Sequence, residues 1–288
     1  MVYNYKIAGD YWKFQTSYEL EEDQETSIFR VDECDALEGC TCFVNLVEEL
    51  PKVPGKLIVE KREKQIYLHE NDLWVKMENL SDNIPTFVSR CGMKESKVIE
   101  LWMLKQYYPY SARMAHLWSA LDLPYQLLKK DKLTLHSAMI EVEGKAIAFL
   151  APSGTGKSTQ ARLWGKHRGA KQLNGDKNTL FCKEDTAYAA GVPFCGTSGI
   201  CENYKLELGA LVFLKQAKVN TVRRLTGIEA LKVLLDNCFG YQSVPGCMEK
   251  MIMLATKILE KVPVYLLACT PDEQAVNALE QHLNPNKQ

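Results

Sequence analysis

Residues 144–164, which read GKAIAFLAPSGTGKSTQARLW, constrain the fold of this chain more than any other segment. A run of apolar or small residues, 146–151, leads directly into a Gly-rich loop ending in Gly-Lys-Ser-Thr, and a helix-compatible stretch follows. This order of strand, loop and helix is that of a phosphate-binding P-loop. The common pattern GxxxxGK[ST] begins with Gly where this chain has Ala151, and alanine is compatible with that position if its φ angle is negative.

The residue types of the loop suit the phosphates of ATP. Glycines allow successive backbone N–H groups to turn inward around a phosphate, and the following helix directs the positive end of its dipole at the same anion. We expect Lys157, in a loop reached by solvent, to contact the β and γ phosphates and the Ser158 hydroxyl to ligate Mg²⁺. The predicted ATP-binding residues are Ser153, Gly154, Thr155, Gly156, Lys157, Ser158 and Thr159.

An ordinary surface turn with an exposed lysine is the alternative interpretation of the same residues. The apolar strand before the loop and the helix after it favour the phosphate site.

Length and composition limit the class of protein. With 288 residues the chain fits one large or two ordinary domains, and 46% hydrophobic with 25% charged residues is typical of a globular, soluble protein. The net charge of -1 implies no general attraction to nucleic acid. The chain begins without the pattern of a signal peptide, and its apolar runs fall short of the ~20 residues that span a bilayer. We therefore expect a cytoplasmic protein with no nucleic-acid or membrane partner.

The ten cysteines raise the question of disulfides or zinc. They include no Cys-x-x-Cys pair and no matching histidine cluster, which favours reduced structural thiols. Cys182, Cys238 and Cys269 lie in apolar segments, where thiols serve as small core residues.

Residues 1–130 are predicted to form a strand-rich part that ends in helices. Short aromatic or β-branched segments, separated by turn-forming and charged residues, predict strands at 3–8, 11–16, 28–31, 41–47, 56–60, 65–69 and 74–77. The spacing of apolar residues then favours helices over 98–107 and 111–121. This part contains no recognisable catalytic constellation.

Residues 131–288 are predicted to form the nucleotide-binding domain. A strand over 133–140 carries His136 and precedes the loop strand, and after the loop helix the segments 179–182 and 187–190 predict a β-hairpin. A hairpin in place of a helical crossover indicates a mixed sheet rather than a doubly wound one.

Three features around the loop are candidates for function. Asn-Gly-Asp at 174–176 is by itself a turn sequence, but downstream of a phosphate loop it favours a functional Asp176. A lone strand histidine such as His136 is usually structural, and a catalytic role is the alternative. The small-residue loop that contains Gly196, Thr197 and Ser198 is either an acceptor pocket or merely a turn.

Residues LHSA at 135–138, GKAIAFLAPSGTGKST, and LNGD at 173–176 before a hairpin together resemble the nucleotide-binding domain of the HPr kinase/phosphorylase family. This fold is shared with phosphoenolpyruvate carboxykinase, and the resemblance covers roughly residues 133–216. It implies a mixed β-sheet P-loop domain of this type, which together with the strand-rich N-terminal part predicted above gives an α/β fold. Carboxykinases are much longer and carry metal and substrate residues that have no counterpart here, so a kinase is the better inference.

The resemblance implies transfer of the γ-phosphoryl group of ATP to a hydroxyl, with Mg²⁺. In the family the first acid of an Asp-Asp pair activates the acceptor serine, so Asp176 inherits the role of base and, with Ser158, of metal ligand. His136 matches the family's histidine on the strand before the loop and joins Lys157 and Asp176 as a catalytic candidate. The second acid is replaced by Lys177, which leaves metal binding and phosphorolysis open.

Three replacements for the second acid follow from the sequence: the carboxylate of Glu202, a single hydrated Mg²⁺, or the Lys177 ammonium facing the phosphates. The acceptor is expected to be a serine of a peptide, a protein or a small metabolite, because small HPr-kinase-like proteins that phosphorylate ribosomally made peptides are similar in size and in the Asn-Gly-Asp variant. A homo-oligomer is left open. A nucleotide-binding regulatory or partner module of a peptide-modifying system, without kinase activity, is the alternative function.

Overall fold

The computed structural model describes residues 1–33, 39–61, 63–78, 84–94 and 97–283, which divide into two units. The first unit comprises Met1–Lys130 together with Tyr241–Cys247, and the second comprises Asp131–Gly240 and Met248–Gln288. Each unit contains one mixed β-sheet, and the class is α/β. Within the described ranges, no helix combines the length and the apolar character needed to cross a membrane.

Within the described residues, the sheet of the first unit has eight strands. They are β1 (Val2–Ile7), β2 (Asp10–Gln15), β3 (Cys40–Val47), β4 (Lys56–Glu60), β5 (Lys64–His69), β6 (Asp72–Glu78), β7 (Pro85–Gly92) and β8 (Val98–Leu104). Their order across the sheet is β1-β2-β3-β8-β7-β6-β5-β4. Strand β3 pairs in parallel with β2 and β8, whereas the other pairs are antiparallel.

Aromatic side chains hold helix α2 of the first unit to its sheet. The helices are α1 (Gln24–Ser27), α2 (Met114–Ala120) and α3 (Leu123–Lys129). Trp118 of α2 is fully buried, and its ring meets those of Tyr5, Trp12 and Phe14 edge to face. Such pairs stabilise beyond the area that they bury. Tyr241 belongs to this unit, where its hydroxyl donates to a buried carboxylate, that of Asp122 (2.6 Å).

Two of the sequence expectations for the first unit are wrong. Residues 98–107 do not form a helix but the strand β8, followed by the 3-10 turn Lys105–Tyr107. Strand β8 pairs with β3 and β7, and it buries Ile99, Leu101 and Met103 with the two-residue period of a strand. Residues 28–31 are not a strand, since only Arg30 makes an isolated bridge. The other predicted strands and the helical character of 111–121 are confirmed, while β7 was not predicted.

The second unit is built on another mixed sheet. Its strands are β9 (Leu133–Val142), β10 (Lys145–Leu150), β11 (Lys171–Asn174), β12 (Lys177–Lys183), β13 (Thr186–Gly191), β14 (Lys205–Gln216), β15 (Thr221–Leu225) and β16 (Val264–Cys269). The order is β10-β9-β12-β13-β14-β16-β15, and β11 pairs with β9. Strand β14 pairs in parallel with β10 and β16, and its pairing with β10 closes five strands into a ring. The predicted hairpin β12–β13 and the mixed sheet are confirmed.

In the part of this unit that the structure describes, four α-helices accompany the sheet: α4 (Lys157–Arg168), α5 (Gly227–Asp236), α6 (Cys247–Leu259) and α7 (Glu273–Leu283). One hydrophobic cluster joins the loop strand to α4 and α7 and contains the buried side chains of Phe149, Trp164, Val212, Leu267 and Val276. The strand that precedes the phosphate loop is therefore anchored in the core.

Among the described residues, the cysteines form no disulfide with one another, and Cys34 lies outside those residues. In the same part of the chain, no three His, Cys, Asp or Glu side chains are grouped in a way that could hold a metal ion.

Candidate functional site

Strand pairing in the second unit brings the predicted site residues to one end of its sheet. Strand β10 runs antiparallel to β9 with Leu150 opposite Ser137, and β9 pairs with β12 with His136 opposite Lys177. The phosphate loop follows Leu150 directly, and Asp176 directly precedes Lys177. The loop, His136 and Asp176 therefore lie at the same end of three neighbouring strands. The Ser137 N–H donates to the Asp176 carbonyl (2.9 Å) and fixes that end.

The phosphate loop has the backbone that its glycines allow. Gly154 and Gly156 have φ angles of 77° and 118°, in the region that side chains disfavour, and Gly156 is the N-cap of α4. Ala151 has no positive φ, and its methyl group is buried in the core, so alanine satisfies this position of the motif. The remaining predicted ATP-binding residues of the loop, apart from Lys157, are exposed or half-buried: Ser153, Thr155, Ser158 and Thr159.

The sequence analysis expected solvent to reach Lys157, and this expectation is wrong. The residue is buried, with 7% of its surface exposed. Its ammonium donates to the carbonyl oxygens of Ala151 (2.8 Å) and Pro152 (3.4 Å) at the start of the loop. Burial lowers the pKa of Lys157, and the negative charge of Asp176 acts in the opposite direction. The loop thus holds its ammonium inside the turn, within electrostatic range of Asp176.

Asp176 and His136 form the closest pair of titratable side chains among the predicted site residues. Nδ1 of His136 lies 3.1 Å from Oδ1 of Asp176. Burial by itself would raise the pKa of Asp176, but the His136 hydrogen bond and the positive charges of Lys177 and Lys157 outweigh it and hold that pKa below its usual value. At neutral pH Asp176 is therefore a carboxylate, which can accept a hydrogen bond or a proton from a hydroxyl group.

Asn174, which the sequence analysis treated only as part of a turn, positions this carboxylate. Its buried side chain accepts hydrogen bonds from the N–H groups of Asp176 (2.8 Å) and Lys177 (3.2 Å) and donates to the carbonyls of Val192 (3.3 Å) and Phe194 (3.0 Å). One amide therefore joins the Asp176 turn to the segment after β13. The sequence Asn-Gly-Asp could have predicted this contact, because the side chain of asparagine often accepts a hydrogen bond from the backbone N–H two residues further along the chain.

The predicted acceptor loop lies directly against Asp176. Residues Gly196–Ser198 form a 3-10 turn, and a Cβ atom on Gly196 would stand 2.7 Å from the Cβ of Asp176. Only a residue without a side chain permits this approach, and its φ of 58° also favours glycine. The Ser198 hydroxyl is used inside the turn, where it donates to the Cys195 carbonyl (2.7 Å), while Thr197 is exposed.

Lys177, which directly follows Asp176 in the sequence, lies against aromatic rings. Its Nζ stands 4.0 Å from the ring centre of Phe194 and 4.9 Å from that of Phe239, within the range of cation–π attraction. The Glu202 carboxylate, considered above as a replacement acid, pairs with Lys171 (3.1 Å). Of the side chains predicted to hold Mg²⁺, Ser158 contributes a hydroxyl and Asp176 a carboxylate.

We expect the substitution Lys177→Met to raise the pKa of Asp176, because methionine keeps an apolar stem of similar length but removes the charge that favours the carboxylate. The carboxylate is then lost at higher pH than in the parent protein. Any stability that Asp176 contributes is present above its unfolded-state pKa and disappears as the pH falls through its lowered folded-state pKa. In the variant the folded-state pKa of Asp176 moves closer to its unfolded-state pKa, so this stability is smaller and is lost over a narrower range of pH. Carbon NMR of the Asp176 carboxyl group measures the titration directly.

Lys183→Met is the matched control for this titration, because Lys183 lies at the other end of β12 and is exposed. An unchanged titration of Asp176 in Lys177→Met, or an equal change in both variants, would contradict the electrostatic role of Lys177.

Comparison with known proteins adds little to this geometry. The chain matches no family model and no curated protein. Among solved structures it is similar to the HPr(Ser) kinase/phosphatase from Coxiella burnetii, with 10% sequence identity and a TM-score of 0.33 over 54% of this chain and 99% of that chain. Similarity at this level carries no argument about fold or activity, so the function must be inferred from the site itself.

Proposed function

We propose that this protein is an ATP-dependent kinase that transfers the γ-phosphoryl group to a hydroxyl, such as the serine of a peptide or protein or the hydroxyl of a small metabolite. The observation that carries the proposal is the Asp176 carboxylate, which is hydrogen-bonded to His136 and lies within electrostatic range of the buried Lys157 of a P-loop. Kinases use a cation at the phosphates and a residue that orients or deprotonates the acceptor, together with Mg²⁺.

Each residue of the site has a separate part in the proposed reaction. The loop amides and Lys157 bind the triphosphate, and the ammonium neutralises charge that develops on the transferred group. Asp176 orients the acceptor hydroxyl and accepts its proton, while His136 holds the carboxylate in place. Because Gly196 lies directly against Asp176, residues 196–198 form one wall of the proposed acceptor site. The acceptor would contact the backbone of this turn next to the Asp176 carboxylate.

The residues present are compatible with Mg²⁺ as a partner of ATP. Ser158, in the first turn of α4, and Asp176 offer the oxygen ligands that this ion prefers. When bound, Mg²⁺ supplies charge neutralisation between the phosphates. One protein carboxylate is sufficient, because Mg²⁺ usually keeps several waters and binds substrate phosphates rather than an all-protein cage.

A panel experiment tests the assignment. The protein is incubated with Mg-ATP and with serine-containing peptides, proteins and hydroxylated metabolites, and the products are weighed by mass spectrometry. The proposal requires at least one acceptor that gains the mass of a phosphoryl group and does not gain it when ATP or protein is omitted. Formation of ADP and free phosphate with no modified acceptor would contradict a kinase.

A nucleotide-binding module without phosphoryl transfer is the second candidate. Lys177 favours it, because a positive charge beside the rings of Phe194 and Phe239 stands where the resemblance to HPr kinases predicts a second acid. For such a module, ATP binds but none of the acceptors is modified.

A further inference from the structure

A cavity of about 250 Å³ lies in the first unit, where helix α2 packs on strands β6 and β7. Met77 of β6 and Phe87 of β7 give it an apolar wall, and carboxylate, hydroxyl and imidazole side chains complete its lining. Pockets for drug-sized ligands have volumes of about 300–1,000 Å³. This smaller cavity therefore suits a single side chain or a small molecule. None of the described residues that line it belongs to the proposed kinase site.

Two carboxylates bring negative charge to this cavity. Glu63 is exposed and directly precedes β5, and Glu78 is half-buried at the end of β6. The backbone N–H of Glu78 donates to the Glu63 carbonyl (2.9 Å), so the two residues are held side by side. Glu78 pairs with Lys76 (3.0 Å), whereas Glu63 forms no ion pair with a described residue. One carboxylate of the cavity is therefore left to neutralise a ligand.

His116 adds no positive charge to the lining at neutral pH. Burial lowers the pKa of its imidazole, and the positive charge of Arg113 lowers that pKa further. The cations on neighbouring elements are themselves paired, since Arg113 contacts Glu21 (3.0 Å) and Lys64 contacts Asp122 (3.5 Å). A positively charged ligand therefore meets a net negative charge in the cavity.

The hydroxyl of Ser111 is an independent indication of a ligand. Ser111 belongs to the 3-10 turn Tyr110–Ala112, lines the cavity and has only 3% of its surface exposed. Its Oγ atom forms no hydrogen bond with a described residue, and it is not one of the unpaired atoms that are sealed inside the described part of the chain. Buried polar groups are nearly always paired, so a hydroxyl open to a cavity points to a partner that a ligand brings.

These groups match an ammonium ion on an apolar stem. An ammonium has three donors and no acceptor, and the two carboxylates and the Ser111 hydroxyl offer three acceptors. The methylene groups of the stem can lie along Met77 and Phe87, as the stems of long charged side chains do on apolar surfaces. Pairing with the carboxylates offsets the cost of taking the positive charge out of water.

We propose that this cavity binds an alkylammonium group, either the side chain of a lysine in a partner polypeptide or a free amine. The ammonium contacts Glu63, Glu78 and Ser111, and the alkyl stem contacts Met77 and Phe87. This site goes beyond the proposed function, because none of its residues takes part in the proposed phosphoryl transfer. It gives the strand-rich first unit a binding activity of its own.

Titrations followed by amide NMR test the ligand class with three probes: n-butylammonium, N-acetyl-lysine amide and the uncharged N-acetyl-norleucine amide. The backbone signals of Ser111 and His116 should shift with both ammonium probes. The norleucine probe should bind at least about 10-fold more weakly, because hydrogen bonds of a charged group are the stronger ones. Tighter binding of the lysine probe than of n-butylammonium indicates a polypeptide lysine as the natural ligand, and the reverse order indicates a free amine.

Ser111→Ala tests the hydroxyl and should weaken both ammonium probes about 2–10-fold, the range of one ordinary hydrogen bond. The unliganded variant should melt no lower than the parent, because the hydroxyl has no partner to lose. Ser89→Ala is the matched control, since Ser89 is equally buried and its hydroxyl donates to the Ala120 carbonyl (2.7 Å). This control should melt at a lower temperature and bind the probes as the parent does.

The double variant Glu63→Gln/Glu78→Gln tests the carboxylates. It should weaken both ammonium probes at least about 10-fold and leave the norleucine probe unchanged. Glu60→Gln/Glu70→Gln removes the same number of charges from two exposed residues outside the cavity, and it should bind all three probes as the parent does.

Three results would contradict this inference. Equal affinity of the lysine and norleucine probes would overturn the ammonium assignment. Unchanged affinity in both Ser111→Ala and Glu63→Gln/Glu78→Gln would place the binding outside this cavity and overturn the site. Absence of any shift with all three probes would overturn the inference as a whole. None of these results affects the kinase assignment, which the experiments with ATP and acceptors test separately.

Discussion

The substitution Asp176→Asn is expected to lower the rate of phosphoryl transfer by roughly 10²–10⁴, the usual contribution of a positioned general base. Asparagine keeps the shape of the side chain, and its oxygen can still meet His136, so the turn held by Asn174 should survive. The negative charge that accepts the proton is lost. ATP affinity should change little, because the phosphate loop itself is intact. Initial rates at saturating ATP, with an acceptor identified by mass, give the effect directly.

Asp185→Asn is the control for this substitution. Asp185 lies in the turn between β12 and β13, at the far end of the hairpin from Asp176, and pairs with Lys261 at the surface (3.2 Å). Its variant should keep the parental rate. If Asp176→Asn also turns over at nearly the parental rate, Asp176 is not the catalytic base.

Lys157→Met should weaken the binding of ATP by roughly 10–150-fold, which corresponds to the ~1.5–3 kcal/mol of a hydrogen bond to a charged group. Methionine keeps the length and the apolar stem of a side chain that is buried in the loop. The fold should survive, because burial already disfavours the charged form of Lys157, as its lowered pKa indicates. Titration calorimetry measures the affinity, and far-ultraviolet circular dichroism monitors the fold.

Lys166→Met provides the comparison on the same helix, since Lys166 is an exposed residue of α4. It should bind ATP as the parent does. Unchanged ATP affinity in Lys157→Met would exclude Lys157 from the phosphate site, and the interpretation of the P-loop would then be wrong.

Together, the two substitutions distinguish the two candidate functions. A kinase requires both effects: loss of affinity at Lys157 and loss of rate at Asp176. A binding module loses ATP affinity in Lys157→Met, but it catalyses no phosphoryl transfer that Asp176→Asn could slow.

Local sequence predicted the elements whose conformation depends on few neighbours. The loop after β10 needs Gly154 and Gly156 for its positive φ angles, and these glycines occur at the spacing of the motif. The β12–β13 hairpin was recognisable because its strands and its turn are adjacent in the chain. The segment that forms β8 could not be assigned in this way, since its apolar residues match a helical period as well as a strand period. Pairing with β3 and β7 on both sides decides in favour of the strand.

The sequence by itself determined that a Gly-rich loop follows a buried strand and precedes a helix, and that an acidic residue, Asp176, follows a short turn downstream of that helix. Only the tertiary structure decided what surrounds that acid. The contact with His136 depends on the register of β9 against β12, and the position of Lys177 depends on rings from Phe194 and Phe239 that lie far apart in the chain. The cavity beside the Ser111 hydroxyl likewise appears only once α2 packs on β6 and β7. Pairing register and packing are long-range properties, so the spacing of residues in the sequence does not fix them.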